Sequence, residues 1–187
     1  GTRRDFRSYV VMQFDQPIDT ENTVGSNIAF RMAQGDTLTV TGTTTQNGGT
    51  IGDANDAITL TGKLTQNGGT MAADTLTLGG GADVKGKVSA NAIDAGSTVV
   101  KAETGADIDV TTELKVGTLD VDGGAVDAAT VVAKVEQSGG ALTATTSVTG
   151  DVTVDGAGST LETAKVDGKL TLVEGEVKTA EVTGETA

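Results

Sequence analysis

Ten residues recur twenty positions apart: Thr41-Gly-Thr-Thr-Thr-Gln-Asn-Gly-Gly-Thr50 returns as Thr61-Gly-Lys-Leu-Thr-Gln-Asn-Gly-Gly-Thr70, identical at eight of ten positions. A unit this short cannot bury an apolar face by itself. It has to stack on its neighbours, and stacking units of one length build a quasi-one-dimensional solenoid.

Downstream the repeat persists as an apolar residue, a spacer, Gly, a charge and a second apolar residue. Leu60-Thr-Gly-Lys-Leu64, Val84-Lys-Gly-Lys-Val88, Val148-Thr-Gly-Asp-Val152 and Val166-Asp-Gly-Lys-Leu170 carry it, with partial copies at Val110-Thr-Thr-Glu-Leu114 and Val182-Thr-Gly-Glu185. Gly48-Gly49, Gly68-Gly69, Gly79-Gly80-Gly81, Gly123-Gly124, Gly139-Gly140 and Gly156-Ala-Gly158 mark corners, where glycine supplies positive φ. Between corners Val, Ile, Leu and Thr alternate over three to five residues, as in Thr37-Leu-Thr-Val-Thr41, which is the period of short half-buried strands.

The late anchors Val148, Val154, Leu161, Val166, Leu172, Val177 and Val182 fall roughly every six residues, so about three strands make one coil of about 16–20 residues. The expected fold is an all-β, three-sided parallel β-helix over residues 34–187, preceded by a strand-rich N-terminal segment over 1–33. Val148, Val152, Val166 and Leu170 are expected to point inward. Between Asn91 and Thr118 the copies are too irregular to place every corner.

Composition fits a thin rod. Twenty-seven Gly, one Pro and 2% aromatic residues suit an interior with room for aliphatics and little for rings. The formal net charge of −13 disfavours nucleic acid or an anionic membrane as partner. With no Cys, disulfides and zinc-thiolate sites are ruled out. No apolar run reaches the length of a membrane span. Tyr9-Val-Val-Met12 is too short for the apolar stretch of a signal peptide, so the expectation is a processed chain.

A second asymmetry bears on function. All four aromatic residues (Phe6, Tyr9, Phe14, Phe30) and all four arginines (Arg3, Arg4, Arg7, Arg31) fall within residues 1–31. In extended form Phe6, Ser8, Val10, Met12 and Phe14 share one face, and Ile28, Phe30 and Met32 share another. Such faces cap the open end of a solenoid, or dock on another molecule by adding a strand or plugging the end of the next subunit. Both roles can hold together, and the docking set is Phe6, Tyr9, Val10, Met12, Phe14, Ile28, Phe30 and Met32. Arg3, Arg4 and Arg7 against Asp5 leave +2 over residues 1–8, while Glu174, Glu176, Glu181 and Glu185 against Lys178 leave −3 over residues 174–187. Opposite signs at opposite ends favour head-to-tail contact of copies, which propagates into a filament. The three arginines and the four glutamates are expected to set register.

Catalysis has little to work with. No His or Cys occurs, so Ser-His-Asp, Cys-His and histidine-metal arrangements are impossible. The carboxylate pairs Asp53/Asp56, Asp107/Asp109, Asp120/Asp122 and Asp151/Asp155 match the count glycoside cleavage needs, yet an acidic solvated face provides the same pairs. The expectation is a non-enzyme with no small-molecule substrate. Calcium is the one cofactor to weigh. Asp120-Val-Asp122-Gly123 and Asp53-Ala-Asn55-Asp56 cluster oxygen ligands, but neither continues into an EF-hand loop, and turn chemistry explains both without a metal.

The Val84–Val88 and Val166–Leu170 segments, in short coils, resemble the bactofilins, cytoskeletal β-solenoids that polymerise without nucleotide. The aromatic and arginine-rich N-terminal segment and the Thr-Gln-Asn-Gly-Gly corners depart from that family. They look more like bacterial surface-fibre or autotransporter-type repeats, or viral fibre shafts. Thr37, Thr39, Thr41 and Thr43, with Thr59/Thr61 and Thr75/Thr77 beneath, resemble the Thr-x-Thr face of β-helical ice-binding proteins, but Lys85/Lys87, Asp107/Asp109 and Asp120/Asp122 then interrupt the ladder. The functional expectation is a structural subunit of an extracellular filament or surface fibre that assembles with itself. A virion or tail fibre shaft, a bactofilin-like polymer and an ice-binding β-helix are the alternatives.

Overall fold

The computed structural model of the chain describes residues 29–30 and 35–187. Strand makes up 72% of it, and no helix occurs among the described residues. All the strands belong to one sheet, and every strand pairing in it is parallel. The sheet winds into a β-solenoid of about eight turns.

Three faces follow from the alternation of apolar and polar residues. On the first, Leu38, Ile58, Leu76, Ile93, Leu114, Val131, Val148, Val166 and Val182 lie in successive register, one per coil. On the second, the row runs through Leu64, Ala82, Val100, Leu119, Val135, Val152 and Leu170. On the third it runs through Ile51, Met71, Val88, Ile108, Val126, Leu142, Leu161 and Val177. These rows meet inside the coil and form its core. Val148, Val152, Val166 and Leu170 are all buried, as the repeat predicts.

Coil length is variable. Thr37 lies beside Ala57 twenty residues on, and Val166 beside Val182 sixteen on. The longest described step on the first face, from Ile93 to Leu114, spans twenty-one. That coil absorbs its surplus in the turn at Thr104-Gly105 and in a register shift between Val110 and Glu113, which is why the stretch was irregular in the sequence.

The expected corners are present. Gly49, Gly69, Gly81, Gly123, Gly140 and Gly158 all have positive φ. At Gly140 (φ +73°) a Cβ would also sit 2.0 Å from the Gly124 carbonyl oxygen of the coil below, so both conformation and stacking demand glycine there.

One finding departs from the sequence reading, and a second concerns the N-terminal segment. Leu172, read as an inner anchor, is 44% exposed and its neighbour Val173 65%. Leu172 does continue an inward row, beside Val154, and on its other side Glu185–Ala187 runs alongside, with the Leu172 N–H donating to the Ala187 carbonyl at 2.9 Å, yet the Leu172 side chain stays exposed. The strand Ala29–Phe30 falls within the segment read as cap or docking element, and it pairs in parallel with Thr50–Ile51. Phe30 therefore takes the register position next to Ile51, at the head of the third-face row.

Candidate assembly surfaces

The expected docking residues divide by where they lie. Phe6, Tyr9, Val10, Met12, Phe14, Ile28 and Met32 fall outside the described residues, as do Arg3, Arg4 and Arg7. Phe30 is described as part of a strand only. The acidic partners are all described: Glu174, Glu176, Glu181 and Glu185 are exposed on the last coil. Glu176 is ion-paired with Lys178 at 3.3 Å and Glu181 approaches Lys165 at 3.9 Å. Glu174 is in register with Asp155, a like charge, and Glu185 uses its backbone carbonyl to accept the Leu170 N–H. The apolar residues Leu172 and Val173 are exposed on the same strand, next in sequence to Glu174.

Charge along the middle of the rod is arranged in rungs. Lys63 pairs with Asp83 at 2.6 Å, Lys85 with Glu103 at 3.1 Å, Lys87 with Asp107 at 3.0 Å and Lys134 with Glu136 at 2.6 Å. The first three pairs join adjacent coils and brace the stack, whereas Lys134 and Glu136 lie two apart on one strand; their exposure keeps each contribution small. Lys101 sits between Asp120 and Asp122, 2.8 Å from the latter. Its hydrogen bond and charge hold the Asp122 carboxyl below the usual range, whereas burial, with Asp122, Glu136 and Glu103 adding repulsion, pushes Asp120 up. The same contacts raise Lys101, and Asp107 raises Lys87.

Of the carboxylates weighed for calcium or acid–base work, Asp107, Asp120 and Asp122 are engaged by lysines, and Asp53, Asp56 and Asp151 by backbone. Asp56 is 1% exposed, and its two oxygens accept the N–H groups of Asp36 at 3.2 Å and Asp53 at 2.9 Å. Asp53 in turn accepts from the Asn55 backbone and side chain. Asp151 accepts the Lys169 N–H at 3.0 Å. Among the described residues no three acidic side chains converge in a way that would hold a metal ion.

The threonine ladder has three rungs. Thr39, Thr59 and Thr77 stack in register, and Asp94 follows Thr77. The neighbouring row is broken sooner, with Ala57 between Thr37 and Thr75. Thr41 and Thr43 lie outside the strands, in the turn. Further along, Thr143, Thr163 and Thr179 line a shallow open groove with Glu162 and Lys178, and the Thr163 hydroxyl there donates to the Lys165 carbonyl.

Sequence reasoning missed the buried glutamines. Gln46, Gln66 and Gln137 are 3% exposed or less at the corner between the second and third faces. Gln46 Nε2 donates to the Thr70 carbonyl at 3.0 Å, and Gln66 Nε2 to the Lys87 carbonyl at 3.1 Å and to Gln46 Oε1 at 2.9 Å. Gln137 Nε2 bonds the Gly140 and Thr160 carbonyls, each at 3.0 Å. Each amide ties its corner to the next coil. The signal was the shared spacing of Gln46-Asn-Gly-Gly49, Gln66-Asn-Gly-Gly69 and Gln137-Ser-Gly-Gly140.

Nothing outside the chain adds to these observations: no family model, curated protein or solved structure matches it.

Proposed function

We propose that the chain is a non-enzymatic structural rod, the self-assembling subunit of an extracellular filament or surface fibre, with copies joined head to tail through the N-terminal segment. The observation that carries this reading is the last coil, where Leu172, in register with the inward Val154, and its neighbour Val173 are exposed on a strand that also carries the exposed Glu174, Glu176 and Glu181, with Glu185 beyond it. Its fitting occupant is an apolar, positively charged segment, and residues 1–32 hold all the rings and arginines of the chain. Apolar docking supplies most of the free energy, because exposed ion pairs contribute little. Extracellular placement belongs to the same reading: a Cys-free chain with Thr, Gly, Asn and Asp on its outer rows suits a secreted fibre.

Analytical sedimentation of Phe6→Asp and Tyr9→Asp variants tests it. Wild-type protein is expected to sediment as concentration-dependent polymers and both variants as smaller species with unchanged circular dichroism. Polymers of equal size in the variants would overturn the docking role of the segment.

A further inference from the structure

Two corners of the rod carry the same six residues, Thr45-Gln-Asn-Gly-Gly-Thr50 and Thr65-Gln-Asn-Gly-Gly-Thr70. Each contains Asn followed by Gly, the pairing in which the backbone nitrogen meets least steric hindrance on its way to the side-chain carbonyl carbon. The corners stack: the Asn67 N–H donates to the Gln46 carbonyl at 2.8 Å, and Asn67 Nδ2 donates to Asn47 Oδ1, also at 2.8 Å. Both side chains are exposed to water.

This contact makes the two asparagines unequal. A donor on Oδ1 polarises the Asn47 carboxamide and stabilises the negative charge that gathers on that oxygen when a nucleophile adds to Cγ. Space differs as well. A Cβ on Gly48 would meet nothing within 4 Å, whereas one on Gly68 would lie 3.4 Å from the Asn47 carbonyl oxygen.

We propose that Asn47 is a site of spontaneous deamidation, and that Asn67 is the positioning residue that activates it. Hydroxide removes the Gly48 amide proton, and that nitrogen attacks Asn47 Cγ to form a new N–C bond. The Cγ–Nδ2 bond breaks, ammonia leaves and a five-membered succinimide remains. Water then opens either ring carbonyl, leaving aspartate or isoaspartate at position 47. Aspartate keeps the rung, because its carboxylate accepts Asn67 Nδ2 as a charge-assisted bond. Isoaspartate adds a methylene to the backbone at the corner and disturbs the register of the strand that follows. The corner thus serves as a clock that adds negative charge, and in part loosens the fold, at the end of the rod next to the N-terminal segment.

The identical local sequences supply an internal control, and trypsin separates them by cutting at Lys63. Folded full-length protein is aged in mildly alkaline buffer and the two tryptic peptides are followed by mass spectrometry. Asn47 is expected to deamidate about threefold to tenfold faster than Asn67, the rate equivalent of one neutral hydrogen bond. In denaturant the two rates should converge. Asn67→Ala should remove the advantage of Asn47 in the folded state and leave its rate in denaturant unchanged, while Asn67→Ser, which keeps a donor, should restore part of it. Equal rates at the two sites in the folded wild type, or an Asn47 rate indifferent to Asn67→Ala, would overturn the proposal.

Discussion

Val166 and Thr171 stand five positions apart and face opposite environments: Val166 is fully buried in the first-face row, and Thr171 stands part-exposed in an outer row. Val166→Asp should therefore cost several kcal/mol, about 3 or more, through an unpaired buried charge. Thr171→Asp should stay within about 0.5–1 kcal/mol. Thermal unfolding of the two variants checks the assignment of faces, and equal losses would contradict it. The carboxyls beside Lys101 give a second residue-level test. Asp122 is depressed in the folded state, so its contribution to stability is present above its unfolded pKa and is lost as pH falls through the folded value. Asp120 is raised, so the stability its protonated form contributes is present below its unfolded pKa and is lost as pH rises through the higher folded value, a window above that of Asp122. Carboxyl carbon shifts in an NMR titration should show Asp120 titrating at higher pH than Asp122. Lys101→Met should move both midpoints upward, since it removes the favourable partner of each.

At the scale of strands and corners, much of the fold was legible because two signals agree. Alternating Thr and aliphatic residues mark strands, and paired glycines mark turns. The glycines are of two kinds, however, and only the structure separates them. Gly140 presses against the coil below, whereas Gly96 (φ +57°) has open space around its Cβ position. Gly96→Ala should carry only the left-handed backbone cost of about 1–2 kcal/mol. Gly140→Ala should lose more, because the stacked Gly124 backbone must also move, and denaturant unfolding of both variants will show the order. The glutamine ties were not legible. Glutamine is usually an exposed residue, and only the geometry of the corner turns carbonyls toward Gln46, Gln66 and Gln137. Gln137→Leu should cost about 1–3 kcal/mol by removing the two side-chain bonds to the Gly140 and Thr160 carbonyls, although the Gly140 carbonyl keeps the Thr160 N–H. Equally hidden was the exposure of Leu172, since sequence periodicity says which residues share an inward row and nothing about whether another coil covers the row. Asp56 was legible as turn chemistry, although its burial was not, because the Asp36 amide that it accepts comes from the coil before.

On the scale of the molecule, the rod has a one-dimensional core, so its stability sums over neighbouring coils and its ends are chemically unlike its middle. The ion-paired rungs and outer threonines give its sides no large apolar patch: among the described residues Val99 is the one exposed large hydrophobic besides Leu172 and Val173. In the function proposed above, the sides therefore offer less apolar surface for contact between copies than the end does. Added salt should weaken only the arginine contribution to that contact and leave most of the docking energy in place. The most direct measurement is negative-stain electron microscopy of the full chain beside a variant lacking residues 1–28, which keeps the strand Ala29–Phe30. The account predicts thin unbranched filaments for the full chain and isolated short rods for the deletion. Filaments that persist without residues 1–28 would contradict it and would mean that coil ends stack directly on one another.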